Sequence, residues 1–322
     1  MHHSKYSSQR VNHAVPASVI ILTLCGILLG PLYTRVQAEE TPANALARRL
    51  VNMGGVDRGL CAVIGGPSDL PVQIAQCSQL LVHVREPDPD MLVLKKRLAQ
   101  EAGLGIDRLV IEQGAINKLP YADNLIDLVL VAQADVATLA QLSVPELLRI
   151  LVPQGTAIIG TTDKISPEQL RQWGRGEKIE DVQTGHADRG SWLRLSKPPL
   201  EGVDEWSHWE HGPDNNPVST DQVIKAPYMT QFLAEPYYIG MPAITTAAGG
   251  RTFLAIGNIS HHQREWDTLN QLIARNGYNG TILWQQALPD GYLCHRSAFI
   301  ATADIFYRID GNACLMLDAR TG

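Results

Sequence analysis

The sequence predicts an α/β domain built on a doubly wound parallel sheet, followed by a region of β-strands alone. Up to about Pro198, apolar strand segments alternate with helical segments, which is the pattern of βαβ units. After Pro198, short apolar strands are separated by turns rich in Gly, Asn and Trp, and one turn signature recurs after 42 residues, from Gly280 to Gly322. The length of 322 residues is enough for both regions.

Residues 1–38 have the order of a secretory signal peptide. Lys5 and Arg10 precede an apolar run over residues 19–29, and small residues follow before Glu39. The apolar run is shorter than a membrane span requires. We therefore expect an exported protein, located in the periplasm or at the cell surface, with an uncleaved signal anchor as the alternative.

The elements of the α/β domain follow from periodicity, caps and terminators. Thr41 and Pro42 predict the start of a helix over residues 45–53, which Gly54 ends. The fully apolar residues 60–64 predict a central parallel strand. Further helices are predicted at residues 70–77, 89–102 and 166–173, and further strands at 80–84, 109–112, 126–132, 156–160 and 192–195, the last at the sheet edge.

Two motifs in this domain are specific. Residues 119–124 read Leu-Pro-Tyr-Ala-Asp-Asn and lead into a strand, and residues 151–155 read Leu-Val-Pro-Gln-Gly between a helix and a strand. Together they resemble the second half of class I S-adenosylmethionine (SAM) methyltransferases, and the resemblance extends over residues 50–198. It implies a Rossmann-like methyltransferase fold whose ligand binds beyond the carboxyl ends of the strands.

The resemblance also implies three contacts for SAM: a glycine-rich turn after the first strand, an acid for the ribose hydroxyls after the second, and an acid for adenine after the third. The corresponding candidate residues are Gly65, Gly66, Glu86, Gly114 and Ala115. Pro67 removes an amide donor from the first turn, and Ala115 has no carboxylate. We therefore expect a domain that has lost its cofactor, with SAM as the alternative; catalytic residues remain unassigned.

Simpler interpretations exist for the acidic residues. Glu86 on a loop can be a solvated carboxylate, and Asp123 and Asp127 can cap turns and strand ends. The surface as a whole is acidic: the formal charge of −6 becomes −9 without Lys5, Arg10 and Arg35, the only charged residues of the signal. This composition argues against nucleic acid as a partner, because phosphate binding needs clustered Lys and Arg.

The strand region carries a repeated signature. Asn276, Asn279, Gly280 and Trp284 belong to its first copy, and the second copy begins at Asp318. The signature resembles the blades of pyrroloquinoline-quinone (PQQ)-like β-propellers, with Asn276 and Asn279 in place of the family's Asp and Thr. The resemblance implies that Gly closes a hairpin, that Asp or Asn binds the turn, and that Trp packs between neighbouring blades. We expect the first blades at residues 241–322, in the N-terminal part of a longer protein.

Residues 199–240 are predicted to link the α/β domain, residues 39–198, to the blades. Within this linker, residues 204–216 resemble the junction of large exported bacterial proteins that join a methyltransferase-like domain to such a propeller. His208, His211 and Asp214 have short spacings that suit a metal ion, but we expect the segment to pack against the first strands, without a metal.

These resemblances imply an exported protein with a degenerate SAM-methyltransferase-like domain and a PQQ-like propeller used for binding or scaffolding. Its propeller face would contact a protein or a polymer, and it would need no cofactor. The alternatives are an active SAM-dependent methyltransferase and a PQQ-dependent oxidoreductase. The second alternative is the weaker one, because the sequence has no adjacent pair of cysteines of the kind that quinoprotein dehydrogenases use.

Overall fold

A computed structural model describes residues 42–161, 165–175, 182–187, 190–289, 291–296 and 299–322. The predicted signal peptide and the Thr41 cap lie outside these residues. Residues 40–322 form one compact unit. Among the described residues, no helix is long and apolar enough to cross a membrane.

Residues 42–196 form a seven-stranded sheet with helices on both faces. The helices are α1 (Pro42–Gly54), α2 (Leu70–Cys77), α3 (Pro89–Glu101), α4 (Val136–Gln141), α5 (Val144–Ile150) and α6 (Pro167–Gly174). The strands are β1 (Arg58–Ile64), β2 (Gln79–Glu86), β3 (Leu109–Gln113), β4 (Ile126–Ala134), β5 (Leu151–Thr161), β6 (Val182–Ala187) and β7 (Gly190–Ser196). Their order is β3-β2-β1-β4-β5-β7-β6, and β1 to β5 are parallel. The predicted doubly wound α/β fold is confirmed.

One strand was placed wrongly by the sequence. Residues 192–195 were expected at the edge, but β7 lies inside the sheet, antiparallel to both β5 and β6. The edge strand is β6, which reads Val-Gln-Thr-Gly-His-Ala. An edge strand pairs on one side only and needs no continuous apolar run, so this polar segment gave no strand signal.

The central strands are apolar throughout because both faces of the sheet are covered. In β4, Leu128 and Leu130 belong to the core on the side of α1 and α2, whereas Val129 and Val131 belong to the core on the opposite side. The second core includes residues of α4, α5 and α6. The predicted capping box of α6 is present: the Gln169 amide donates to Ser166 Oγ at 3.2 Å, and the Ser166 amide donates to Gln169 Oε1 at 2.9 Å.

The pairing of β5 with β7 depends on the absence of a side chain at Gly160. Gly160 lies opposite Trp192, and a Cβ atom at Gly160 would lie 2.3 Å from the indole ring. We expect Gly160→Ala to lower the free energy of unfolding by about 1–3 kcal/mol, as overpacked cores do. Urea unfolding measures this, with Gly212→Ala as the control: this glycine is partly exposed in a loop, a Cβ there would meet only the end of the Asp214 side chain, and about 0.5 kcal/mol or less is expected. Equal effects of the two substitutions would contradict this packing.

Two antiparallel sheets follow. The first contains β8 (Met241–Ala248), β9 (Arg251–Ile259), β10 (Gln271–Asn276) and β11 (Ile282–Ala287), and the second contains β12 (Phe299–Ala301), β13 (Ile305–Asp310) and β14 (Ala313–Asp318). In each sheet, strands adjacent in sequence are adjacent in space. A common core joins the sheets through Phe253, Trp284, Phe299 and Phe306, and Trp284 Nε1 donates to the Ala319 carbonyl at 3.1 Å. The described residues thus form two consecutive meanders and not a closed ring of sheets.

Candidate functional site

The three turns that sequence analysis assigned to a cofactor lie side by side at the carboxyl ends of β1, β2 and β3. The Gly65 amide donates to the Arg85 carbonyl at 3.0 Å, and the Gly114 amide donates to the Glu86 carbonyl at 3.0 Å. Gly65 and Gly66 have φ angles of +58° and +77°, which L side chains rarely adopt. The structure therefore brings the predicted residues together at the edge where open α/β sheets bind ligands.

Glu86 does not face solvent, so the interpretation as a solvated carboxylate is wrong. Glu86 is 3% exposed, and both oxygens of its carboxylate accept hydrogen bonds from other residues. Oε1 accepts the Asp88 amide at 3.0 Å, and Oε2 is bound by the Lys95 ammonium. Lys95 is fully buried and also donates to the Gly65 carbonyl at 2.7 Å. One internal cation therefore holds both the first and the second predicted contact positions.

Lys95 was not among the residues predicted from the sequence, although its position in α3 is informative. The helix begins at Pro89, and the Asp88 side chain accepts the Asp90 amide at 2.8 Å. Leu92, Lys95 and Ala99 have the spacing of one helix face, and Leu92 and Ala99 pack into the core under α3. A lysine in the middle of an apolar stripe is the signal that indicates a buried ion pair, since lysine is almost never buried without a partner.

The third position is covered by Arg85. A Cβ atom at Gly114 would lie 1.8 Å from Arg85 Nη2, so the guanidinium occupies the space next to this glycine. Arg85 Nε also donates to the Ala115 carbonyl at 3.4 Å, and Arg85 Nη1 lies 3.6 Å from the Glu112 carboxylate. Where the family's acid would bind adenine, this chain has a methyl group and a neighbouring cation.

An apolar groove of about 310 Å³ lies between α4 and α6, the helices that follow β4 and β5. It is lined by Val136, Leu139, Ala140, Ile165, Gln169 and Trp173. Trp173 Nε1 donates to the Leu139 carbonyl at 3.1 Å, which fixes the indole ring. None of these six residues is ionisable, so the lining can hold an apolar group but cannot transfer a proton.

The junction segment packs against the first strand of the meanders, as expected. The Trp206 amide donates to the Ala247 carbonyl at 2.9 Å. His211 Nε2 lies 3.0 Å from the Asp204 carboxylate, which raises the pKa of His211 and lowers the pKa of Asp204 below its usual range. His208 Nδ1 lies 2.8 Å from Ser207 Oγ.

The metal interpretation of His208, His211 and Asp214 finds no support in this geometry. The Nε2 atom of His211 is used by Asp204. Among the described residues, no group of three or more His, Cys, Asp and Glu side chains is arranged to hold a metal ion.

Asp127 has a different role from the turn cap that was expected. It lies within β4 and is 5% exposed, and its carboxylate accepts the Leu60 amide at 2.8 Å, Asn276 Nδ2 at 2.6 Å and Asn279 Nδ2 at 2.8 Å. Burial raises the pKa of Asp127 to about 6, although these donors oppose the shift. The two asparagines belong to the repeat turn between β10 and β11. Their hydrogen bonds to Asp127 therefore link the first meander to the α/β sheet.

No protein-family model matches the chain, and no curated protein matches it. Solved structures resemble about half of it. A proposed SAM-dependent methyltransferase from Methanococcus maripaludis has a TM-score of 0.39 and 22% identity over 50% of this chain and 87% of its own. A SAM-dependent O-methyltransferase from Thermotoga maritima has a TM-score of 0.40 and 13% identity over 49% of this chain and 66% of its own. A geranyl diphosphate methyltransferase has a TM-score of 0.39 and 13% identity over 48% of this chain and 78% of its own.

At these scores and identities the likenesses do not identify a reaction for this chain. The strand order and the two motifs in residues 119–155 make its first half a methyltransferase-like α/β Rossmann fold.

Proposed function

We propose that this protein is exported and acts as a binding or scaffolding protein whose methyltransferase-like domain no longer uses SAM. The observation that carries the proposal is the Lys95 ammonium, which binds the Glu86 carboxylate and the Gly65 carbonyl. Glu86 and the turn at Gly65 are two of the positions that the resemblance assigns to SAM. The chain thus satisfies them with a side chain of its own.

The free energies involved favour Glu86 bound to Lys95 over Glu86 bound to SAM. A ribose that displaced Lys95 from Glu86 would break a buried ion pair, and the loss of one partner of such a pair costs about 3–5 kcal/mol. The missing acid at Ala115 removes another charge-assisted hydrogen bond, worth about 1.5–3 kcal/mol. Since about 1.4 kcal/mol corresponds to a factor of ten, the affinity for SAM is expected to fall by roughly a thousandfold or more.

The repeat region supports the binding role, as the front of a PQQ-like propeller. Its two signature turns are alike: the Gly280 amide donates to the Asn276 carbonyl at 2.9 Å, and the Gly322 amide donates to the Asp318 carbonyl at 2.8 Å. The indole of Trp284 reaches from the first signature to the second. Further blades, and a propeller face that contacts a protein or a polymer, are part of the proposal.

Calorimetric titration of the full chain with SAM tests the proposal. No saturable binding is expected at micromolar SAM, because Glu86 is already held by Lys95. The double variant Glu86→Gln/Lys95→Met is the matched control, since it removes both charges of the pair together and leaves no unpaired buried charge. A weak signal that is equal in both proteins supports the proposal, whereas micromolar binding to the wild type that is lost in the double variant would overturn it.

An active methyltransferase is the second candidate, and one observation favours it. The apolar groove between α4 and α6, the helices that follow β4 and β5, offers space for an apolar methyl acceptor. The same titration decides between the candidates, because a methyltransferase must bind its methyl donor.

A further inference from the structure

A second cleft lies on the first meander, away from the α/β domain's candidate site. It has a volume of about 310 Å³, and its walls are the segment 235–238, the 3-10 helix Gln263–Thr268 and one face of β10 and β11. Ile273 and Ile282 form an apolar floor between these walls. This volume is at the small end of ligand-binding clefts, so the cleft suits a small ligand or a short segment of a polymer.

The cleft presents several hydrogen-bonding side chains, most of them exposed to solvent. Six of its polar side chains make no hydrogen bond or ion pair to any other residue that the structure describes: Glu235, Tyr237, Arg264, Asp267, Gln271 and Gln285. They include acceptors, donors and amides that do both. Their convergence over an apolar floor is the usual composition of a site that fixes a ligand through a few polar groups.

Two aromatic side chains complete the lining. The Arg264 guanidinium carbon lies 4.1 Å from the centre of the Tyr238 ring, which orients the guanidinium at the rim. Tyr237 is 65% exposed and has its ring available to a ligand. An exposed aromatic ring beside unpaired carboxylates and amides offers an apolar surface and hydrogen-bonding groups at the same place.

We propose that this cleft binds a neutral oligosaccharide. A sugar ring has an apolar face of C–H groups that fits Tyr237 and the isoleucine floor, and each of its hydroxyls both donates and accepts hydrogen bonds. The lining has two carboxylates and one guanidinium, so its net charge of −1 disfavours phosphate and other anions. The inference rests on the proposed binding function and names the class of polymer for the repeat region.

The test is calorimetric titration of the full chain with maltotriose, cellotriose and chitotriose. At least one of them is expected to bind with a dissociation constant between about 10 μM and 5 mM, a range typical of few hydrogen bonds on an open surface. Asp267→Ala and Gln285→Ala are each expected to weaken that binding about tenfold or more. Glu210→Ala, which removes an exposed carboxylate from the junction segment, is the matched control and should leave it unchanged.

The inference is overturned if none of the three sugars binds at about 10 mM, or if both cleft variants bind as the wild type does. These outcomes are separate from the SAM titration. If no sugar binds, the proposal that Lys95 blocks the SAM position at Glu86 is unaffected. If SAM binds at micromolar concentration, the proposal that the cleft binds a sugar is unaffected. Circular dichroism of both variants establishes that a loss of binding is local.

Discussion

Asn276→Asp is expected to lower the free energy of unfolding by about 3 kcal/mol at pH 7, because it places a second carboxylate against the buried Asp127. Asn276 Nδ2 now donates to Asp127 Oδ1 at 2.6 Å, and Asn276 Oδ1 accepts the Tyr278 amide at 2.8 Å. The substitution preserves shape and the second hydrogen bond, and it turns the first into a contact between like charges. Aspartate is the residue that the propeller signature has at this position, so here the common residue is expected to be the harmful one.

The effect should depend on pH in a defined direction. Burial raises the pKa of Asp127 to about 6 from an ordinary value of 3.8, so the folded protein binds this proton more tightly than the unfolded chain does. The stability from this group is therefore fully present below about pH 4 and is lost as the pH rises through 6. A second carboxylate strengthens this dependence, and the Asn276→Asp protein should recover part of its stability at pH 5.

Urea unfolding at pH 5 and pH 7 measures both statements. Asn258→Asp introduces the same charge at an exposed position on β9, and a change of about 0.5 kcal/mol or less is expected at either pH. If the two substitutions had equal effects at pH 7, the Asp127 carboxylate would not join the meander to the α/β sheet.

Local patterns were sufficient to predict most of the α/β domain. A helix was predicted around residues 70–77 as part of the βαβ series, and α2 is observed at Leu70–Cys77. The capping box at Ser166 was also predicted correctly, since its two residues, Ser166 and Gln169, are only three positions apart. The methyltransferase resemblance implied that Gly65, Glu86 and Gly114 are neighbours, and the parallel strands β1, β2 and β3 do bring their carboxyl ends to one edge.

The polar contacts that the sequence did not reveal join different elements of the fold. Asp127 binds asparagines that lie about 150 residues further along the chain, and no local pattern indicates which carboxylate of the α/β domain meets a repeat turn. Lys95 lies on the same apolar helix face as Leu92 and Ala99, but lysine usually faces solvent. Its burial could be predicted only by giving the helix face more weight than the residue type. The pairing of buried polar groups between elements is therefore the information that periodicity and capping rules omit.

Lys95→Met is expected to lower the free energy of unfolding by about 3–5 kcal/mol at neutral pH, because it leaves the buried Glu86 carboxylate without a cation. Methionine is close to lysine in length and fills the same space, so the loss reports the charge and not a cavity. Lys96→Met changes the exposed neighbour in the same helix, and about 0.5 kcal/mol or less is expected for it.

The double variant Glu86→Gln/Lys95→Met distinguishes the interaction between these two side chains from their contacts with other residues. A glutamine keeps a hydrogen-bond acceptor for the Asp88 amide and carries no charge, so most of the stability lost in Lys95→Met should return. Such a recovery would show that the two residues are coupled, since independent residues would add their losses. If the double variant were less stable than Lys95→Met, Lys95 would act chiefly through the Gly65 carbonyl, and the closure of the candidate site would rest on the turn after β1 instead of on the ion pair.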